Sequence, residues 1–266
     1  MDENRLEFIV AAHDEEASIG ECVRALLALP AAARVTVVDD ASADRTAEVV
    51  RAVADPRLIV LSVPYRSRAR AVNAGLRRAR AEYVCVTDAD VRFLEDRFQA
   101  ILEGLATTPF LMLTEDPAQT GVDTVLLGPD FAPPRNAFVF SRRLLPGLRF
   151  SEVYPATGGE DTDLAIRLLK TGVRVGATYG GYRHDRTPGP MGWRRRSHFH
   201  LWNVVTYLRH LDVPMCRQRL AGILRNPLRR AAASAGEELG LRPGWRAHDP
   251  GPTRVTAGPP GRRSSR

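Results

Sequence analysis

The chain has 266 residues, 44% hydrophobic and 26% charged, the proportions of a soluble globular protein long enough to bury a core. Its formal net charge is +7, yet residues 217–266 alone carry 11 arginines against three acids. The rest is close to neutral, which argues against a nucleic-acid binder spread over the whole domain.

No apolar run approaches the ~20 residues of a membrane helix, and the acidic, polar start MDENRLEF does not read as a signal peptide. Three scattered cysteines, Cys22, Cys85 and Cys216, lack metal-type spacing and fit a reduced, cytoplasmic setting.

In chain order, LEFIVAA (6–12) is a short apolar strand. ASIGECVRALLAL (17–29) has apolar residues at helical spacing and stops at Pro30. RVTVVDD (34–40) is a second strand, and the Ser42/Asp44 region can cap a helix through RTAEVVRAVA (45–54). RLIVLSV (57–63), RARAVNAGLRRARA (68–81) and EYVCVT (82–87) continue as strand, helix, strand. This alternation predicts an α/β fold with a mostly parallel sheet covered by helices, whose ligands bind beyond the carboxyl ends of the strands.

Acids gather at that edge. HDEE follows the first strand, Asp39 and Asp40 close the second, and Asp88-Ala89-Asp90 closes the fourth. Crowded like charges repel unless a cation or a donor-rich ligand relieves them. A solvated helix cap explains any single cluster; three at one edge point to a site.

Beyond residue 120 the pattern loosens. GVDTVLLG (121–128) reads as a short strand and PRNAFVFSRRLL (134–145) as a strand running into a turn. TGGEDTDLAIRLLKTG (157–172) predicts a loop at 157–159, a cap at Asp161 or Thr162, then an amphipathic helix ended by Gly172. Glu160 and Asp161 then sit at a helix N-terminus, where the dipole favours carboxylates and a deprotonated Asp can accept a proton from a hydroxyl. Capping alone explains one acid more easily than two. Residues 172–180 return as a strand.

A helical segment follows over 190–235, where GWRRRSHFHLWNVVTYLRHL interleaves aromatics with arginine. Such a face suits a peripheral membrane contact through 190–215, or a cover helix packed over the site. Residues 236–266 are rich in Pro, Gly and Arg without periodicity and predict a disordered tail.

In this order the motifs resemble the family 2 glycosyltransferases, which have a GT-A nucleotide-sugar-binding fold. IVAAHDEEASI (9–19) is similar to their opening segment, with Ala11 and Asp14 where proline and asparagine are usual. VVDDASADRT (37–46) resembles their second-strand Asp-Asp-x-Ser segment. SRARAVNAGL (67–76) resembles their Gly-Lys-x-x-Ala-Leu-Asn-x-Gly-Leu segment, with Ser67 and Arg68 for the glycine and lysine. TDAD (87–90) takes the place of their Asp-x-Asp motif. NAFVFSRRLL, RFSE (149–152), GGEDTDLAIRLLKTG and YRH (182–184) follow in family order, so the resemblance covers 6–185. The Gln-x-x-Arg-Trp element of processive members is absent in that form, so processive polymer synthesis is not implied.

The resemblance implies a GT-A domain over 1–189, with a nucleotide-binding half (1–90) and an acceptor and catalytic half (91–189). It places Ala11, His13, Glu15, Asp39 and Asp40 around the base and ribose of a nucleotide-sugar donor, by default a UDP-sugar. Arg68 should reach the base or phosphate and Asp88 the ribose; Asp90, with His184, should hold Mg²⁺ or Mn²⁺. Asp161 is then the general base of an inverting single displacement, and Glu160 orients the acceptor.

The acceptor is not named by the sequence: a small molecule, a glycan or a lipid-linked hydroxyl all suit it. The setting implied is cytoplasmic, or peripheral at the inner face of a membrane. Two other readings compete. A sugar-phosphate nucleotidyltransferase needs a glycine-rich loop after the first strand, and AAHDEE has no glycine. A nucleic-acid-binding scaffold would use the arginines, but these lie mostly outside the acidic site.

Overall fold

Strand and helix alternate from the start as the apolar pattern dictates: β1 (Leu6–Ala12), α1 (Ile19–Ala28), β2 (Ala32–Asp40), α2 (Thr46–Arg51), β3 (Leu58–Val63), α3 (Arg68–Arg78) and β4 (Tyr83–Asp88). This computed structural model describes residues 5–117, 124–127, 137–154, 158–184 and 193–225. β5 (Val91–Phe93), α4 (Phe98–Gly104), β6 (Phe110–Thr114), β7 (Val125–Leu126) and β8 (Ala137–Ser141) come next. α5 (Glu160–Lys170), β9 (Val175–Tyr179), β10 (Tyr182–His184), α6 (Trp193–Arg209) and α7 (Pro214–Arg225) complete the described chain.

Eight strands form one sheet in the order β3-β2-β1-β4-β8-β6-β9-β7, while β5 and β10 form a separate antiparallel ribbon. Parallel pairing joins β3, β2, β1 and β4, and also β6 to β9; β8 runs antiparallel to both β4 and β6, and β7 to β9. The sheet is therefore α/β and mostly parallel. Its middle is buried on both faces: Phe8, Ile9 and Val10 of β1 are fully covered, as are Val84, Cys85 and Val86 of β4. Such strands read as unbroken apolar runs because helices cover both sides.

α3 owes its close seat on the sheet to small residues. Ala69, Ala71 and Ala74 are buried, and a Cβ on Gly75 would lie 2.6 Å from Ile9 Cγ2 and 3.3 Å from Val38 Cγ2. Asn73 then ties the helix to the later chain: its Oδ1 accepts the Phe150 N–H at 2.9 Å, and its Nδ2 donates to the Phe150 carbonyl at 3.1 Å.

Several boundaries differ from expectation. α1 begins at Ile19 rather than 17, and α2 ends at Arg51 rather than running to 54. Asp44 serves α2 as foreseen, its Oδ1 accepting the Thr46 N–H at 2.9 Å. At α5 neither Asp161 nor Thr162 is the cap. Gly159, at φ +85°, turns the chain into the helix, so both lie inside the first turn with Glu160.

The far end of α5 has the Gly172 stop, at φ +78°. The Gly172 N–H bonds to the Leu169 carbonyl and the Val173 N–H to the Leu168 carbonyl, the paired bonds of a Schellman ending. The 190–235 segment is two helices, broken between Arg209 and Pro214; its end beyond 225, the 236–266 tail and Thr157 lie outside the described residues. Among the described residues no helix is long and apolar enough to cross a membrane.

Gly75→Ala should lower the unfolding free energy by about 1–3 kcal/mol, because the intruding methyl outweighs the gain in helix propensity. Urea denaturation measures it; an unchanged or raised stability would show that α3 and β1 are not in such close contact.

Candidate active site

The carboxyl ends of β1, β2, β3, β4 and β6 share one edge of the sheet, and the loops there are strained. Asp14, Ala41 and Arg66 all have φ near +50°, a costly conformation for residues with a Cβ. Hydrogen bonds clasp the first two loops together: Asp14 Oδ1 accepts the Ala43 N–H, Glu16 Oε2 the Arg45 N–H, and Asp44 Oδ2 the Glu16 N–H. Much of the carboxylate crowding read from the sequence is thus relieved by backbone donors rather than by a cation.

Asp40 is the extreme case. Its buried carboxylate accepts the N–H groups of Tyr65, Arg66 and Ser67 at 2.7, 2.7 and 2.6 Å and so shapes the loop leading into α3. Asp39, one residue earlier, accepts the Ser42 N–H at 3.3 Å. His13 Nδ1–H donates to the Asp40 carbonyl at 2.7 Å. Ala11 pairs in register with Asp88, and Ala12 with Asp39, so these positions line one stretch of the edge. Glu15 sits just beyond, its N–H held by Thr46 Oγ1 at 2.7 Å.

At the end of β4 the chain brings together Asp88, Asp90 and His184, with one ligand atom from each within 4.8 Å of the others. His184 arrives across the β5–β10 ribbon, where it pairs with Val91, next to Asp90. Its N–H donates to Glu115 Oε1 at 2.6 Å, and its Nδ1 lies 3.3 Å from Glu115 Oε2. Two carboxylates and an oriented imidazole fit Mn²⁺ or Mg²⁺, which bind few protein ligands and complete their shell with phosphate oxygens and water. Asp88, expected at the ribose, thus also stands in the group that could hold a cation.

Arg68 connects this group to α5. Its Nε and Nη2 donate to Asp88 Oδ1 at 3.0 and 2.8 Å, its Nη1 donates to Asp161 Oδ1 at 3.0 Å, and Glu160 Oε1 lies 3.6 Å away. The Phe150 ring lies beneath the guanidinium. Burial by itself pushes the Arg68 pKa down, but Asp161, Asp88 and Glu160 together raise it well above its ordinary value.

Asp161 is held above the usual carboxylate range, chiefly by burial, while Arg68 pulls it back. Burial first, and then the Asp161 charge, pushes Glu160 up to about 7. The pair therefore comprises a strengthened base and an acid that titrates near neutrality.

The start of α5 is fixed from outside by α6. Thr206 Oγ1 lies 3.3 Å from the Gly159 carbonyl and 2.8 Å from Tyr154 Oη, in space a Cβ on Gly159 would invade. One turn on, buried Asp163 accepts from Arg167 Nε and from His210 Nε2, at 2.8 and 2.9 Å. Lys170 Nζ lies 3.1 Å from His210 Nδ1. An ammonium only donates, so Nδ1 accepts and the proton sits on Nε2, facing Asp163.

Sequence reasoning missed Glu115 and this clamp. PFLMLTED repeats the pattern of an apolar run ended by acids, but β6 was not read as a strand. Thr206 and His210 stand four residues apart on one helix face, a spacing hidden by the more conspicuous Arg and aromatic residues around them.

A family model described as glycosyl transferase family 2 matches residues 7–130. That stretch, a little under half of the chain, is similar to the family. The match spans β1 to β7 and stops before Asp161 and His184. Succinoglycan biosynthesis protein ExoO of Rhizobium meliloti (strain 1021) is 35% identical over 98 residues, 36% of this chain but only 28% of the relative's length.

Among solved structures, the mannosyltransferase PcManGT of Pyrobaculum calidifontis, in complex with GDP-Man and Mn²⁺, is similar at TM-score 0.63 and 24% identity, over 90% of this chain and 76% of that one. S. aureus TarS (1–349) with UDP-GlcNAc gives 0.60 at 17% identity, over 90% and 76%. M. tuberculosis glucosyl-3-phosphoglycerate synthase gives 0.58 at 19% identity, over 79% and 82%. The fold is GT-A.

Glu160 supplies a pH test. Its folded pKa of about 7 lies above the ordinary 4.5, so folding favours the protonated form. That stability is fully present below about pH 4.5 and is lost as pH rises through about 7. Glu160→Gln cannot titrate, so its melting temperature should gain on the wild type across this window. Parallel melting curves for the two proteins would show that Glu160 is not perturbed.

Proposed function

We propose that the chain transfers a sugar from a nucleoside diphosphate-sugar to an acceptor hydroxyl, with inversion, in a single displacement. The observation that carries this reading is the bridge of Arg68 from Asp88, beside Asp90 and His184, to Asp161 at the start of α5. One edge of the sheet thus offers a cation-binding group suited to a diphosphate next to a buried base.

The proposed roles follow the geometry. Ala11, His13, Glu15, Asp39 and Asp40 border the space for base and ribose, with Asp40 also setting the loop that presents Arg68. Asp88, Asp90 and His184 would hold Mg²⁺ or Mn²⁺, which supplies charge neutralisation on the departing diphosphate. Asp161 takes the proton of the acceptor hydroxyl as its oxygen bonds to the anomeric carbon. The bond from that carbon to the diphosphate oxygen breaks, and the nucleoside diphosphate leaves with the bonding electrons. Burial raises the basicity of Asp161, and Arg68 keeps its carboxylate oriented. Glu160, one residue before it, positions the acceptor.

UDP is the proposed nucleotide, with GDP its first competitor, since one solved neighbour holds GDP-Man and another UDP-GlcNAc. The match of residues 7–130 to a glycosyltransferase family model favours this reading over a nucleotidyltransferase or a nucleic-acid scaffold.

Calorimetric titration with UDP, GDP and dTDP, each with Mn²⁺ and with chelator, tests the donor site. One nucleotide should bind only with metal, and Asp90→Ala should weaken it by at least about tenfold. Failure of well-folded protein to bind any nucleotide would defeat the reading. Asp161→Asn should keep that affinity within a few-fold yet lose about 10²–10⁴ of turnover. Normal turnover in this variant would remove Asp161 from the mechanism.

A further inference from the structure

A helix packed on a protein core ordinarily turns its polar side outward. The second half of α6 departs from this on its outward side. Its inward side carries Thr206 and His210, both buried and hydrogen-bonded to the α5 region. Outward stand Leu201, Leu208 and Leu211, which are 56%, 50% and 43% exposed, with Val204 half-buried among them. The steps of three, four and three residues place the four on one side, over ~15 Å of helix and the turn that follows it.

The sequence of these two helices is predominantly basic. Residues 193–225 contain seven arginines and a single acid, Asp212. That acid is occupied by Lys170, whose Nζ lies 2.7 Å from Asp212 Oδ1. Arg209, Arg217 and Arg219 are exposed.

We propose that this face of α6 docks on an anionic phospholipid surface. Leucines on such a helix need an apolar layer only ~5–10 Å deep, and flanking arginines gain from lipid phosphates and from the negative surface potential. A second copy of the chain is a poorer occupant: four apolar residues fall far short of the roughly 20–30 per side of a stable protein interface, and like charges would be brought together. Residues 226–266 are a poorer occupant too, being Arg-rich with few large apolar side chains. The inward side of the same helix holds Gly159, next to Glu160 and Asp161. Docking would therefore set the bilayer about one helix diameter, ~10–12 Å, from the segment that steadies the proposed base.

Co-sedimentation of the full chain with vesicles tests this. Binding should be at least about tenfold stronger to phosphatidylcholine containing about 30% phosphatidylglycerol than to phosphatidylcholine alone, and should weaken in about 0.5 M salt. The triple variant Leu201→Ser, Leu208→Ser, Leu211→Ser should lose about tenfold in partitioning. Its melting curve and nucleotide titration should match the wild type, which keeps this test separate from that of the donor site. If the triple variant does not fold, Leu208→Gln alone should still lose several-fold.

Three results would overturn the proposal. One is wild-type protein that stays in the supernatant with anionic vesicles. Another is leucine variants that sediment as well as the wild type, leaving only arginine attraction. The third is a vesicle-free dimer that vanishes in the leucine variants, making a second copy the occupant.

Discussion

Among the described residues, Arg68 is the cation set among three carboxylates that come from distant parts of the chain. Asp88 stands at the end of β4, and Glu160 and Asp161 open α5, more than 90 residues along the sequence from Arg68. Brought together without a counter-charge, these acids would repel one another and take up protons. The helix dipole of α5 offers partial relief, within its first turn only. Arg68 provides the rest, and other features of the fold serve to present it. Asp40 folds the preceding loop through three backbone N–H groups, and Asn73, on the same helix, holds the Phe150 segment whose ring lies beneath the guanidinium. The β1–β4 part of the sheet and the start of α5 thereby meet at one side chain.

The base end of this arrangement has its own support. Asp161 depends on where α5 begins, and that point is set by Gly159 in a left-handed conformation against Thr206 of α6. Asp163, His210 and Lys170 extend the contact by another turn. The C-terminal helices are thus more than a cover. They locate the segment that carries the proposed chemistry, and the same α6 turns leucines outward where a surface helix would ordinarily be polar.

Much of the first half of the chain was legible because its signals are local. Alternating apolar runs gave β1 to β4 within a residue or two, and acids at strand ends marked the edge where the candidate site lies. What those acids do was not legible. The Asp14, Glu16, Asp40 and Asp44 carboxylates bind backbone N–H groups of neighbouring loops, and only tertiary structure brings those donors to them. His184 could be placed by resemblance, yet its partner Glu115 needed β6, whose short run FLMLT carries no periodic signature. The start of α5 was misplaced by two or three residues because Asp161 and Thr162 are good caps by type. Gly159 took that role since only glycine fits beneath Thr206 at that φ.

A double-mutant cycle on folding stability, with Arg68→Met, Asp161→Asn and both together, tests the bridge most directly. Arg68→Met alone should cost about 3–5 kcal/mol, because it strands buried carboxylates. Asp161→Asn should recover part of that loss, giving a coupling of about 1–3 kcal/mol. Additive effects, with no coupling beyond error, would mean that Arg68 and Asp161 do not share a charge contact, and the link between the two halves of the site would have to be sought elsewhere.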